Sequence, residues 1–277
     1  DTARAVEAQR RVARTLPPGS VDRRRVVADL IRVEAHHADG ETLAERLEGF
    51  RREFPDAPEL DELAAVVAAG LRARGLDHEA VDIVRGVQGP LTSLERGFLH
   101  LEGSRVDEGV EALSEALSGL PPTRATEILQ LVSLLGRLER GGQEVLARSA
   151  ALHHRGRTAE AVEAVREGLP ALPAPEQAAL LAHAARMADE GSLTREGAGL
   201  REELLSRHAG APERGEATLA LARYRARDAG GVAEAVRLLE ALILERPDSP
   251  VAPDARRELQ RLQRGVERRP GPGVAEG

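Results

Sequence analysis

The stretch Gly231–Ala255, GVAEAVRLLEALILERPDSPVAPDA, decides how the rest of the chain is read. Ala235, Leu238, Leu239, Leu242 and Ile243 recur at three- and four-residue intervals, so they share one face of a helix. Pro247 ends that helix, because its ring clashes with the preceding turn and offers no N–H. Asp248 and Ser249 are placed to cap a following helix, and Pro253 fits its first turn, where a missing N–H costs nothing. One amphipathic helix, a stop and a capped restart is half of a helical hairpin.

The same wording recurs. RPDSP at 246–250 is matched by FPDAP at 54–58, 192 residues earlier. From residue 59 onward a Gly-containing turn is followed five times by Glu and a small residue that starts an apolar stripe: Glu79-Ala80, Glu108-Gly109, Glu160-Ala161, Glu196-Gly197 and Glu234-Ala235. The turn glycines are Gly75, Gly103, Gly156, Gly191 and Gly230, five or six residues ahead of the small residue. The small residues are spaced by 29, 52, 36 and 38.

This pattern resembles the tetratricopeptide repeat, whose period is about 34 residues, and in particular the type found in bacterial cell-envelope scaffolds. In that family a Pro closes the second helix twelve residues after the small one, where Pro121, Pro173 and Pro247 stand here. Twelve residues before it the first helix carries another small residue, matched by Ala68, Gly97, Ser149 and Ala185. Arg223 and Ala209 depart from the pattern, and the family's early Trp and Tyr are missing. The resemblance covers roughly residues 41–266. It implies an all-α solenoid of about five stacked antiparallel helical hairpins with a C-terminal capping helix.

Residues 1–40 are predicted to form N-terminal helices, over 2–15 and from Val21 to His37, with a third starting at Glu41. Hairpins follow over 41–121 and 143–250. The interval of 52 is accounted for by a helix inserted within 122–142, whose Ile128, Leu129, Leu131, Val132, Leu134, Leu135 and Leu138 cover more than one face and predict burial on two sides. Segment 251–269 is the capping helix, with Ala252, Ala255, Leu259, Leu262 and Val266 on its packing face and Arg257, Arg261, Arg264 and Arg268 on another. The tail 270–277, PGPGVAEG, is expected to be disordered.

Composition removes whole classes of chemistry. The chain has no Cys, so there is no disulfide, cysteine zinc site or thiol nucleophile. It has no Lys, which excludes a phosphate-loop lysine and a Schiff base. With three Phe, one Tyr and no Trp, the core must be built from Leu, Ala and Val. The net charge is −7, and residues 56–255 hold −11 because both ends are net positive. An acidic body repels nucleic acid and anionic membrane, so neither is an expected partner. No apolar run is long enough to span a bilayer. The first residue is Asp1, compatible with a removed signal peptide or a trimmed start, and the resemblance leans towards a bacterial periplasmic or envelope location over a cytoplasmic one.

No catalytic constellation and no cofactor site are read in the sequence. The His pairs 36–37 and 153–154 each stand near a helix end, where the helix dipole favours positive charge. Glu34, His36 and His37 define the rival reading, a helical metal-dependent enzyme, with Glu34-x-x-His37 on one helical face. The resemblance instead implies a non-catalytic scaffold or assembly adaptor that takes a protein or peptide in a concave groove lined by first helices. A structural subunit of a larger complex is the alternative. The clamp of Lys and Asn side chains by which some relatives hold a peptide carboxylate cannot be built from a chain lacking both residues. Groove candidates on the first helices are Arg72, Arg74, His100, His153, His183, Arg186 and Arg223.

Overall fold

The computed structural model describes residues 2–267. Among the described residues the chain is all-α, with fifteen α-helices, no strand, and neighbouring helices packed in consecutive pairs. The helices fall into two compact units, residues 1–155 and 156–277.

The first unit contains α1 (Thr2–Thr15), α2 (Val21–Glu34), α3 (Gly40–Glu53), α4 (Leu60–Ala73), α5 (Asp77–Arg85), α6 (Pro90–Glu102), α7 (Val106–Ala116), α8 (Pro122–Leu135) and α9 (Arg140–His154). Its core joins Ile31, Leu43, Phe50, Leu63, Val67, Leu71 and Val84, a cluster of aliphatic side chains with Phe50 and Phe54 as its aromatic members. Helix α4 passes so close to the end of α2 that a Cβ on Gly70 would collide with the Ala35 carbonyl oxygen. Asp61 of α4 caps α6 from outside it, accepting from the backbone N–H groups of Leu91 and Thr92, both at 2.9 Å. One carboxylate thereby satisfies two of the orphan donors at that helix start and ties one hairpin to the next.

Helix α8 is packed differently from expectation. Ile128, Leu131, Leu134 and Leu135 are buried, but Leu129 is 56% exposed, so the helix buries one face and not two. It rests on α7 and α9, while α9 packs against α6 as α6 packs against α4. The series of first helices thus continues past α8, which is an addition beside it.

The second unit contains α10 (Thr158–Gly168), α11 (Ala174–Glu190), α12 (Thr194–Arg207), α13 (Arg214–Arg225), α14 (Val232–Glu245) and α15 (Ala252–Glu267). Helix α14 is the one foreseen in the opening stretch: Ala235, Leu239 and Leu242 are buried and pack with Leu219, Ala255 and Leu262. Its C-cap Arg246 (φ −137°, ψ 59°) has nearly the same backbone as Phe54 (φ −134°, ψ 67°), the C-cap of α3. Each precedes a proline, which disfavours the helical conformation at that position, and His208 at the end of α12 takes a similar backbone without one. The capping role predicted for Asp248 and Ser249 is displaced: Ala252 N–H bonds to the Ser249 carbonyl at 2.9 Å, and α15 starts only there, with Pro253 in its first turn. The Val266 side chain, Arg268 and the tail 270–277 lie outside the described residues.

Four of the five hairpin turns repeat one conformation, and the fifth, at Gly230, is a short 3-10 turn over Ala229–Gly231. Gly75, Ser104, Gly156 and Ser192 are left-handed, with φ of 76°, 57°, 74° and 63°. Each stands five residues before its small residue, Ala80, Gly109, Ala161 or Gly197. Gly103 and Gly191 lie in their turns as expected, and the left-handed residue there is the serine that follows each of them. After Gly75, Ser104 and Ser192 the next N–H reaches five residues back, Leu76 to Leu71, Arg105 to His100 and Leu193 to Ala188, the pattern that closes a helix with a left-handed residue. The small residues lie where helices cross. A Cβ on Gly109 would stand 3.3 Å from the Gly97 carbonyl oxygen, and one on Gly197 3.1 Å from that of Ala185, in both cases the residue twelve earlier.

Candidate functional site

The seven groove candidates are divided by the fold. Arg72, Arg74, His100 and His153 belong to the first unit, and His183, Arg186 and Arg223 to the second. In the second unit, Arg186 and His183 are one turn apart on α11 with Arg186 Nη2 3.4 Å from His183 Nδ1, and Arg223 is exposed on α13.

In the first unit the four candidates have different fates. Arg74 is exposed and spends its guanidinium on the carbonyls of Gly70, at 3.0 Å, and Ala38. His153 is half-buried at the end of α9. His100 is half-buried on α6, and burial, reinforced by Arg105, pushes its pKa below the usual value, so it is neutral at pH 7. It borders a recess of about 520 Å³ between α6 and α7 lined also by Ser93, Arg96, Glu108, Glu111 and Glu115. Arg96 is bound there to Glu115 at 3.2 Å, which leaves the other two carboxylates facing the recess with an excess of negative charge.

Arg72 is not a groove residue. It is 2% exposed, and its Nη1 donates to Glu95 Oε2 at 2.7 Å. This pair anchors a polar seam across α4, α6 and α9 that the sequence reading missed. His154 Nε2 is 2.7 Å from Glu95 Oε1, and its ring stacks on Phe98 with centroids 3.8 Å apart and planes 11° apart. Arg124 of α8 lies 3.2 Å from His154 Nδ1. A guanidinium can only donate, so Nδ1 accepts and the imidazole proton sits on Nε2, directed at Glu95. At the outer end Arg155 bridges Glu102 and Asp77, the latter at 2.5 Å.

Burial would push Glu95 up, but the hydrogen bond from His154, followed by Arg72, holds it below the usual carboxylate range. Burial lowers His154 below its ordinary value and outweighs the opposing pull of Glu95, so the ring is neutral. Both carboxylate oxygens and both ring nitrogens are committed to partners within the first unit, which ties α4, α6, α8 and α9 together. A signal for it existed: Glu95, Phe98 and Glu102 share one helical face at intervals of three and four, so acids stand inside an apolar stripe.

The rival metal reading is not supported by the geometry. Helix α2 ends at Glu34, and His37 N–H bonds to the Glu34 carbonyl at 2.9 Å in the turn beyond, so Glu34 and His37 do not share a helical face. Both histidines are exposed, and the Glu34 carboxylate is buried against Arg10 at 2.5 Å and Arg46 at 3.4 Å. Among the described residues no three His, Asp or Glu side chains gather as a metal-ligand set. No helix is long and apolar enough to cross a membrane, again among the described residues.

Compared with protein-family models and with curated proteins, the chain matches none.

Proposed function

We propose that this chain is a non-catalytic helical-repeat scaffold of the tetratricopeptide kind that binds a protein or peptide partner. The observation that carries the reading is the repeated hairpin turn, a left-handed residue five positions before a buried small residue, at Gly75/Ala80, Ser104/Gly109, Gly156/Ala161 and Ser192/Gly197. A chain that spends its length on copies of one hairpin gains side-by-side first helices, and such helices make extended binding surfaces. In the first unit the recess beside His100, between a first helix and its second, is a further docking point, because the surplus carboxylates of Glu108 and Glu111 on α7 favour a basic side chain from the partner.

The test is affinity capture of crosslinked partners from the native cell with the wild-type chain, with Glu108→Arg/Glu111→Arg and with Arg186→Glu/Arg223→Glu. All three proteins are first checked for equal helicity. The scaffold reading expects a defined partner whose recovery falls in at least one variant. Recovery of the same proteins by all three chains and by an unrelated helical protein rejects it.

A further inference from the structure

The last helix, α15, carries an arginine stripe that the repeat reading leaves without a role. Arg257, Arg261 and Arg264 are all exposed and, at intervals of four and three, lie on one face of the helix. We propose that this face docks on the recess between α6 and α7 of a second copy of the chain, so that copies associate head to tail. This rests on the reading of that recess as a docking point and names what docks there.

The two surfaces match in sign and in spacing. On α7 the carboxylates of the recess are Glu108, Glu111 and Glu115, exposed and at intervals of three and four. Each stripe therefore extends about 10 Å along its helix axis. Laid antiparallel, the two helices set Arg264 opposite Glu108, Arg261 opposite Glu111 and Arg257 opposite Glu115, with both intervals in register. The charges that meet are not spent within the chain. Arg264, Glu108 and Glu111 have no ion pair among the described residues. Arg257 and Arg261 hold Asp254 and Glu258 one turn away, but their side chains are 74% and 63% exposed and neither pair uses all five donors of its guanidinium. Glu115 is held by Arg96 at 3.2 Å, so the surplus acid lies at the Glu108 end, where the unpaired Arg264 arrives. Recess and stripe are unlike surfaces, so a copy that has used one still offers the other, and association runs beyond the dimer or closes into a ring.

The experiment is sedimentation velocity of the full chain over a wide concentration range, up to about 200 μM, in low and in high salt, where screening weakens exposed charge pairs. The proposal expects reversible association at about 20 mM salt that is at least about tenfold weaker at about 500 mM. Glu108→Arg/Glu111→Arg and Arg261→Glu/Arg264→Glu, each with wild-type helicity, should both be monomeric, since like charges then face each other. Mixed in equal amounts, the two variants should associate again, because the reversed recess meets the reversed stripe and the unaltered recess meets the unaltered stripe. A wild-type chain that stays monomeric at the highest concentration overturns the inference, and so does association that neither salt nor either variant reduces. Variants that stay monomeric when mixed overturn the pairing of these two faces. A monomeric chain that still captures a partner protein loses the second copy and keeps the scaffold reading.

Discussion

The imidazole of His154 lies flat on the ring of Phe98, 3.8 Å between centroids, while its Nε2 is 2.7 Å from Glu95. A histidine held this way is stable only as the neutral ring, because protonating Nδ1 would set a second donor against the Arg124 guanidinium.

Acid should therefore weaken the first unit over two successive pH ranges. The pKa of folded His154 is lowered from 6.5, so its contribution is complete above about pH 6.5 and is lost as pH falls below that value towards the folded pKa. Glu95 is lowered from 4.5, and its contribution is lost further down, below pH 4.5. Urea midpoints between pH 7 and pH 4 should fall in the wild type, and His154→Gln should flatten the part of that slope between pH 6.5 and 5. An unchanged slope in the variant would refute the assignment of the neutral ring.

The inner and outer parts of the polar seam should differ in worth. Removing Arg72 strands the buried charge of Glu95, so Arg72→Met is expected to cost roughly 3–5 kcal/mol. Glu102 is about a third exposed, and Glu102→Gln should cost less than about 1 kcal/mol. Denaturant unfolding of the two variants side by side measures the difference.

Ser104 and Ser192 hold left-handed backbone that glycine adopts freely. Ser104→Gly and Ser192→Gly should each stabilise by about 0.5–1 kcal/mol. Gly103→Ala should be nearly silent, because a Cβ there meets nothing closer than 3.5 Å. Thermal melts of the three variants check whether the strained position is the serine.

Helix crossings set a second contrast among glycines. A Cβ on Gly97 would stand 2.7 Å from Leu113 Cγ, so Gly97→Ala should cost about 1–3 kcal/mol by overpacking α6 on α7. At Gly199, also within a helix, the space is open, and Gly199→Ala should gain about 0.5–1 kcal/mol. Equal effects in a urea titration would argue against the close crossing.

Much of the hairpin grammar was legible in the chain. The stripe through Ala235, Leu239 and Leu242 predicted the buried face of α14, and small residues twelve apart predicted the crossings at Gly97/Gly109 and Ala185/Gly197. These are local matters: periodicity selects a helix face, and a missing Cβ permits a close approach within one hairpin. Gly103 and Gly191 do stand in their turns, but Gly-Ser leaves two residues able to take the left-handed conformation, and only the hydrogen bonds closing the helix select Ser104 and Ser192.

That this protein is a run of amphipathic helices punctuated at regular places follows from its residues alone, because helical period, proline stops and small residues act over a few positions. Tertiary structure decided which charges are available. It buried Arg72, nominated as a groove residue, against Glu95 from another helix, and it turned Leu129 out to solvent on a helix expected to be covered on both sides. A side chain's partner is chosen by helices distant in sequence, so burial of a charge is settled only when those helices pack.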